Sequence, residues 1–413
     1  NSYVTIPRAA NSFDNTEIAA NIDEDIIDSL TGGRLVGSVT SFENFAECPL
    51  RYYLRYGVDL KEREEFTFSP VNFGVVLHAV IREVCDEIKK NGESYYLISE
   101  EKRREMVKRS VAAITDIYQN SILKDSSRNS FMIKRMEDLA DRTIWAMGEQ
   151  LKCGDFVPFV FEHKFNMEVG DGDRKQLMSG TIDRVDICEN GTDVYVRIID
   201  YKTGKKDFNI VKTYYGIDIQ LMVYMEAAMK LVAKMRPGKN VIPAGVFYYN
   251  ISDPIVSATT ESAEEIEDKI KGELRLKGMV NSDKDIAEKM DNTEGTSLNI
   301  PVSRKADGGF DSRRSKVMNT EQFNILGRFV DVRAIDTADR IVGGDIRRSP
   351  YKDGQFSSCD RCPYGAVCGF SVDLPGCNYR KLKKFDDEVL WNNIKEGVDE
   401  NGKKMDTGAE ERD

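Results

Sequence analysis

The side chains of this sequence best placed for chemistry are two aspartates and a lysine in apolar, strand-like runs. Gly180-Thr181-Ile182-Asp183 stands in one run, and Ile198-Ile199-Asp200-Tyr201-Lys202 ends the next. Carboxylates are natural ligands of hard cations such as Mg²⁺ and Mn²⁺, and a cation held by them polarises a phosphate and activates water. Lys202 follows Asp200 by two residues, which in a strand puts both side chains on one face. An ammonium there can orient the attacking water or stabilise negative charge on a phosphorane. Asp183 precedes Asp200 by 17 residues, across the turn residues Glu189-Asn190-Gly191, so hairpin pairing would bring the two acids together. An Asp-x-Lys at a strand end is by itself an ordinary solvated pair. With Asp183 upstream and Gln220-Leu221-Met222-Val223-Tyr224 downstream, it reads instead as a site for metal-assisted phosphodiester hydrolysis.

The elements that must position these residues are legible around them. Phe159, Phe161, His163 and Phe165 alternate as a strand from Val157 requires, and further strands are expected at about 177–188 and 193–200. Residues 214–236 repeat with helical period and stop at Pro237-Gly238, after which Ala244 to Tyr249 reads as a buried strand. Upstream, Phe73, Val76, Leu77, Val80, Ile81 and Val84 mark an amphipathic helix over 73–90, with His78 one position past the apolar stripe. Thr40 or Ser41 can cap an earlier helix that carries Phe42, Phe45, Leu50, Tyr53 and Leu54 and includes Cys48. Helices are also expected at about 100–122, 130–152 and 319–343, partly helical charged sequence over 260–295, and a polar loop from Asn299 to Arg314. The core order is helices, three strands, helix, strand, an α/β arrangement. The sequence has no Gly-x-x-x-x-Gly-Lys-Ser/Thr loop, so ATP hydrolysis through a Walker motif is not expected.

Four short motifs occur in order: Gly74-x-x-x-His78, Gly180-x-x-Asp183, Asp200-x-Lys202 and Gln220-x-x-x-Tyr224. In them the chain closely resembles the RecB-like branch of the PD-(D/E)xK nuclease superfamily. That resemblance implies a restriction-endonuclease-like core, with a central mixed sheet flanked by helices and helical insertions. It also implies roles: His78, Asp183 and Asp200 hold the metal with the backbone carbonyl of Tyr201, Lys202 assists catalysis, and Gln220 and Tyr224 support the site. Glu162 on the first strand is either an additional metal ligand or an acid behind the ligands, beside the equally ordinary reading of an exposed strand glutamate. Without the motifs, His78 would read as a satisfied core histidine and Tyr224 as a core aromatic.

Four of the eight cysteines form a pattern: Cys48 far upstream, then Cys359-x-x-Cys362, with Cys368 after five more residues. Cys85, Cys153 and Cys188 lie in or beside apolar segments and read as buried thiols, and Cys377 is a spare candidate ligand. Close-set cysteines without an export signal favour metal binding over disulfides, and four thiolates suit zinc or an iron–sulfur cluster equally. The spacing, together with Ser38-Val39-Thr40-Ser41-Phe42-Glu43, Cys48-Pro49-Leu50-Arg51-Tyr52-Tyr53 and Asp360-Arg361-Cys362-Pro363-Tyr364, resembles the AddB family of AddAB helicase-nucleases over about 38–382. This resemblance implies a [4Fe–4S] cluster that staples Cys48 to Cys359, Cys362 and Cys368. It further implies a Mg²⁺-dependent exonuclease on single-stranded or unwound DNA ends, beside an AddA-like helicase-nuclease subunit, in double-strand-break processing for recombination. The alternatives are a free-standing CRISPR-associated exonuclease with a similar cluster, and a catalytically silent iron–sulfur scaffold that binds DNA. Retention of Asp183, Asp200 and Lys202 together argues against the silent scaffold.

A net charge of −11 is at odds with a grip on nucleic acid, but nine of those charges fall in residues 1–30 and 388–413. The near-neutral body between them can still carry a basic groove. We expect a polar, flexible lead-in over 1–37, a nuclease domain over 38–382 closed by the cysteines, and an acidic tail over 383–413. No apolar run reaches the roughly 18 residues of a bilayer span, and no secretory signal opens the chain, so a cytoplasmic protein without membrane contact is expected. The chain does not begin with methionine and is read as part of a longer polypeptide.

Overall fold

In the computed structural model, which describes residues 21–23, 26, 35–61, 70–117, 127–169, 176–257, 261–374 and 377–409, the chain enters the sheet earlier than its polarity suggests. Strand β1 (Val36–Ser38) begins inside the stretch expected to be a flexible lead-in, and Leu35 beside it is buried; residues 1–20, 24, 25 and 27–34 of that stretch lie outside the described residues. The chain turns directly into α1 (Val39–Glu47), whose cap is Ser38: its hydroxyl accepts the Ser41 N–H at 3.1 Å. The single helix expected to run through Cys48 is two. Cys48 is extended because the residue before a proline is pushed out of the helical region, and α2 (Pro49–Tyr52) starts afresh before a π-helical turn over Tyr53–Gly57.

Three helices follow: α3 (Pro70–Lys90), α4 (Glu100–Ile117) and α5 (Ser127–Lys152). Residues 118–122, expected as the end of the second, lie outside the described residues. Then come β2 (Val157–Val169), β3 (Gln176–Asn190), β4 (Asp193–Lys202), α6 (Ile210–Tyr214), α7 (Gln220–Met235) and β5 (Asn240–Asn250). The insertion consists of α8 (Ala263–Glu273), β6 (Lys277–Asn281), α9 (Lys284–Met290) and β7 (Val317–Met318), and α10 (Thr320–Val342) follows it. The chain closes with β8 (Tyr351–Asp353), β9 (Phe356–Ser357), α11 (Gly365–Cys368), β10 (Arg380–Lys381) and α12 (Asp387–Ala409).

The main sheet runs β1-β3-β4-β5-β6-β7, with β2 along the other edge of β3. It is mixed: β2/β3, β3/β4 and β5/β6 are antiparallel, and β1/β3, β4/β5 and β6/β7 are parallel. On one edge of β3, β1 covers residues 177–179 and β4 covers 184–190, leaving 180–183 unpaired on that side. One face of the sheet is buried under α1, α7, α10 and α12 through Phe42, Phe45, Leu221, Phe329 and Ile394. The other is buried under α3, α4 and α5 through Leu77, Val80, Val84, Val111 and Ile144. The acidic tail expected from 383 is instead α12, because Leu390, Trp391, Ile394 and Val398 recur at helical spacing and pack on the core beside α10. Charge on its outer face masks that stripe in the composition.

A buried ion network braces the central strands. Arg184 holds both oxygens of Asp186, at 2.7 and 2.6 Å, and Arg197 reaches Asp186 Oδ2 at 2.8 Å, with all three residues out of solvent. The two guanidiniums outweigh burial and hold the Asp186 carboxyl below its ordinary range. Asp186→Ala would leave two buried cations uncompensated, a loss of roughly 3–5 kcal/mol. Urea denaturation should show it as a lowered midpoint; an unchanged midpoint would mean that the network carries no net stability.

Candidate active site

The acids meet where β3 and β4 part. Pairing of Phe161 with Arg184 and of His163 with Ile182 sets Glu162 level with Asp183, and pairing of Arg184 with Ile199 sets Asp183 level with Asp200. Beyond Ile199 the ladder to β3 ends, and the Tyr201 N–H donates to Asp183 Oδ2 at 2.6 Å. On the other edge of β4, Lys202 C=O accepts the Ile251 N–H at 2.8 Å, so the peptide groups of Tyr201 lie on the edge toward β3. From α3, His78 Nδ1 lies 3.3 Å from Asp183 Oδ1 and 3.8 Å from Glu162 Oε1. Glu162 is held at φ 48°, a left-handed conformation costly for a side chain of its size, and such strain concentrates at functional sites.

His78, Glu162 and Asp183 offer ligand atoms that all lie within 4.8 Å of one another. Ligands bound at about 2.1 Å around an octahedral cation lie roughly 3 to 4.2 Å apart, a range that holds the 3.3 and 3.8 Å separations of His78 from the two acids, and carboxylates suit Mg²⁺ or Mn²⁺. Burial works against charge on His78, but hydrogen bonds to Asp183 and Glu162 and their charges outweigh it and push the imidazole up to about 10. A positive charge is thus favoured at this point between the acids. Asp200, 2% exposed, is pushed up to about 6 by burial and by Asp183, against the pull of Lys202. Its buried Oδ2 is engaged by the Lys202 ammonium at 2.5 Å and by no other hydrogen-bond donor among the described residues. Held by one ammonium alone, that carboxylate oxygen keeps a lone pair that can face a cation.

Lys202 is fixed from a second side by Gln220. Its Nζ donates to Gln220 Oε1 at 2.9 Å, and Gln220 Nε2 donates to the Tyr224 hydroxyl at 2.9 Å. Gln220 and Tyr224 share a face because four residues make about one helical turn. Burial holds the Tyr224 phenol protonated. Gly180 is required by closeness: a Cβ there would sit 2.7 Å from the Phe165 ring and 2.9 Å from Tyr224. The helix expected over 214–236 is interrupted so that α7 begins at Gln220 itself.

Four residues of the surrounding network, Glu43, Asp218, Lys206 and Tyr248, were not singled out from sequence. Glu43 of α1 accepts the backbone N–H groups of Ile219 and Gln220 at 2.9 and 3.0 Å. Asp218 binds Lys206 at 3.1 Å and the Tyr248 hydroxyl at 2.7 Å. The only sequence signal is an acid on the apolar face of α1, since the partners of Glu43 lie 176 and 177 residues along the chain. Burial, above all, pushes Glu43 up to about 7. The folded state therefore holds its proton more tightly than the unfolded chain does. Its contribution favours the fold at low pH and declines as pH rises from about 4.5 through about 7. Glu43→Gln should flatten that part of the stability profile in melting curves between pH 5 and 8; an unchanged slope would contradict the assignment.

The second cluster lies at the far end of α1. Cys48, Cys359, Cys362 and Cys368 line one small cavity with Leu50, Leu54 and Phe370. Burial raises the Cys359 thiol, with the nearby thiols of Cys48, Cys362 and Cys368 adding to the rise. Four thiols around one small cavity are donors of the type a soft metal group takes. Cys85 and Cys188 are buried as expected, while Cys153 is half-buried. Cys377 is buried and lines no part of that cavity.

A mixed sheet that splays to present two aspartates and a lysine, faced by a helix-borne histidine, defines a class of nuclease. Residues 37–369 match the PD-(D/E)XK nuclease superfamily, and the chain belongs to it. The chain is 34% identical over 401 residues to the B subunit of the ATP-dependent helicase/deoxyribonuclease of Lachnoclostridium phytofermentans, covering 94% of this chain and 34% of that protein. It is 33% identical over 380 residues to the equivalent protein of a Thermoanaerobacter species, covering 89% and 33%, and 34% identical over 391 residues to that of Clostridium acetobutylicum, covering 92% and 34%. The chain spans about a third of the length of the curated relatives it matches. No helix among the described residues is long and apolar enough to cross a membrane.

Proposed function

We propose that this chain is a Mg²⁺- or Mn²⁺-dependent deoxyribonuclease domain that shortens single-stranded DNA ends exonucleolytically. The observation that carries the reading is the convergence of His78, Glu162 and Asp183 from three separate elements, with Asp200 and Lys202 alongside. Those three side chains, Asp200 and the Tyr201 carbonyl would hold the cation, which supplies polarisation of the phosphate and activation of water. Lys202 is held by Asp200 and Gln220 so that its ammonium can offset negative charge gathering on the phosphate oxygens. Gln220 fixes that ammonium, and Tyr224 fixes Gln220. The four cysteines would hold a [4Fe–4S] cluster of structural purpose.

The relatives are named as subunits of an ATP-dependent helicase/deoxyribonuclease. We take from this that the domain works in the cytoplasm with an AddA-like helicase-nuclease partner, cutting one unwound strand as double-strand breaks are processed for recombination. Residues 38–382 would form the nuclease unit. Labelled single-stranded and duplex DNA incubated with Mg²⁺, with Mn²⁺ or with EDTA tests the reading. Cleavage should need the cation and favour the single strand; cleavage undiminished by EDTA, or absent with both cations, would count against it.

A further inference from the structure

α1 links the cysteine segment to the start of α7, in addition to the Lys212–Asp353 ion pair and the Lys383 N–H bond to the Tyr215 hydroxyl that connect the same regions. The segment after α10 grips its C-terminal end: Arg380 donates to the carbonyls of Ala46 and Glu47, and the Leu50 N–H donates to the Arg347 carbonyl at 3.2 Å. Cys48, the next residue after the helix, faces Cys359, Cys362 and Cys368 across their cavity. About one turn back, Glu43 is buried and points to the start of α7. The N–H groups of Ile219 and Gln220 are among the first of that helix and have no partner within it, so the Glu43 carboxylate supplies what the helix cannot. Gln220 then holds Lys202, and Lys202 lies on Asp200. Two residues, Gln220 and Lys202, thus separate Glu43 from a catalytic carboxylate.

We infer that Glu43 is a positioning residue for the nuclease reaction, tying the first turn of α7 to the cysteine-anchored helix so that Gln220 keeps Lys202 on Asp200; this rests on the nuclease reading above. Glu43 makes no hydrogen bond with the catalytic acids or Lys202 among the described residues, so its structural route to the site is through Gln220, with its charge also felt at Lys206 and Lys202. Through it, the anchoring of α1 by the cysteine segment is transmitted to the ammonium of the site.

The test compares the whole chain with Glu43→Ala, Glu43→Asp, Glu43→Gln, Gln220→Ala and the Glu43→Ala/Gln220→Ala pair. Cleavage of labelled single-stranded DNA with Mg²⁺ gives kcat and KM, and hydrogen exchange on the metal-free proteins follows the amides of Ile219 and Gln220. Glu43→Ala should lower kcat by about tenfold or more with KM little changed. Glu43→Gln, which keeps the acceptor oxygen, should stay within about threefold of wild type, and the double variant should be no worse than Gln220→Ala. Both amides should exchange faster in Glu43→Ala. Glu43→Asp withdraws the acceptor by one methylene and should behave like Glu43→Ala; it carries the test if the alanine variant does not fold. Wild-type kcat and exchange in these variants, losses that multiply in the double variant, or a glutamine variant as impaired as alanine would each overturn the inference alone. A wild-type chain that does not cleave would overturn the nuclease reading with it.

Discussion

Asp200→Asn should reduce metal-dependent cleavage by roughly 10³-fold in kcat, a loss typical when a preorganised charge at the reacting centre is removed. The same substitution should leave the fold intact and raise the melting temperature of the metal-free protein. The argument for activity is that Asp200 Oδ2 is buried, holds the Lys202 ammonium at 2.5 Å, and shares its surroundings with Asp183. An amide there keeps the shape and loses the negative charge. The argument for stability runs through the same residue: burial and the neighbouring Asp183 push its carboxyl up to about 6, so the ionised form is unfavourable in the fold. Because the folded state holds that proton more tightly, its cost is absent at low pH and complete above about 6. The stabilisation by asparagine should therefore be visible in EDTA at pH 8 and shrink toward pH 5. Retention of more than a tenth of wild-type kcat, or a lower melting temperature at pH 8, would contradict the placement of Asp200.

Cys362→Ser is expected to have the largest effect on stability. Cys48 and Cys359 are separated by more than 300 residues, and a group shared between them closes a loop of that length. By analogy with covalent cross-links, opening such a loop costs on the order of 5 kcal/mol, or roughly 10 °C in melting temperature for a domain of this size. The damage should be local at first. α1 and α2 meet the C-terminal segment around this cavity through Arg380 on the carbonyls of Ala46 and Glu47 and the Leu50 N–H on the Arg347 carbonyl, and the Tyr364 hydroxyl donates to the Leu60 carbonyl just beyond α2 at 2.9 Å. Limited proteolysis should cut there before it reaches the central sheet. Protein purified without oxygen should contain iron and sulfide, and the serine variant should lose both. Zinc without sulfide in the wild-type chain would defeat the iron–sulfur assignment, and unchanged stability on losing the group would defeat its structural role.

What was legible in the sequence was local. β2, β3 and β4 declare themselves through alternation of apolar residues, and a hairpin with a short turn leaves little freedom in register, so Asp183 and Asp200 face each other as their spacing suggests. The amphipathic stripe of α3 likewise places His78 beside the buried face. Features that failed to show are short or depend on distant partners. β1 has three residues and β7 two, too few for any period to register, and their pairing is set by the neighbouring edges. β6, with Gly278 inside a charged stretch, pairs with β5 some thirty residues upstream.

The residue types that bind and react, their order along the chain, and the hairpin that pairs them follow from the sequence alone, because side-chain chemistry and strand periodicity are properties of a few adjacent residues. Only the tertiary structure decided that Glu162, in a strained left-handed conformation, turns toward His78 and Asp183 rather than solvent. It alone showed α12 packed on the core, and Glu43 capping a helix 176 residues further on. The physical reason is common to both cases. A buried polar or apolar group must find its complement somewhere in the fold, and which part of the chain supplies it is set by the packing of the layers, not by the neighbours in sequence.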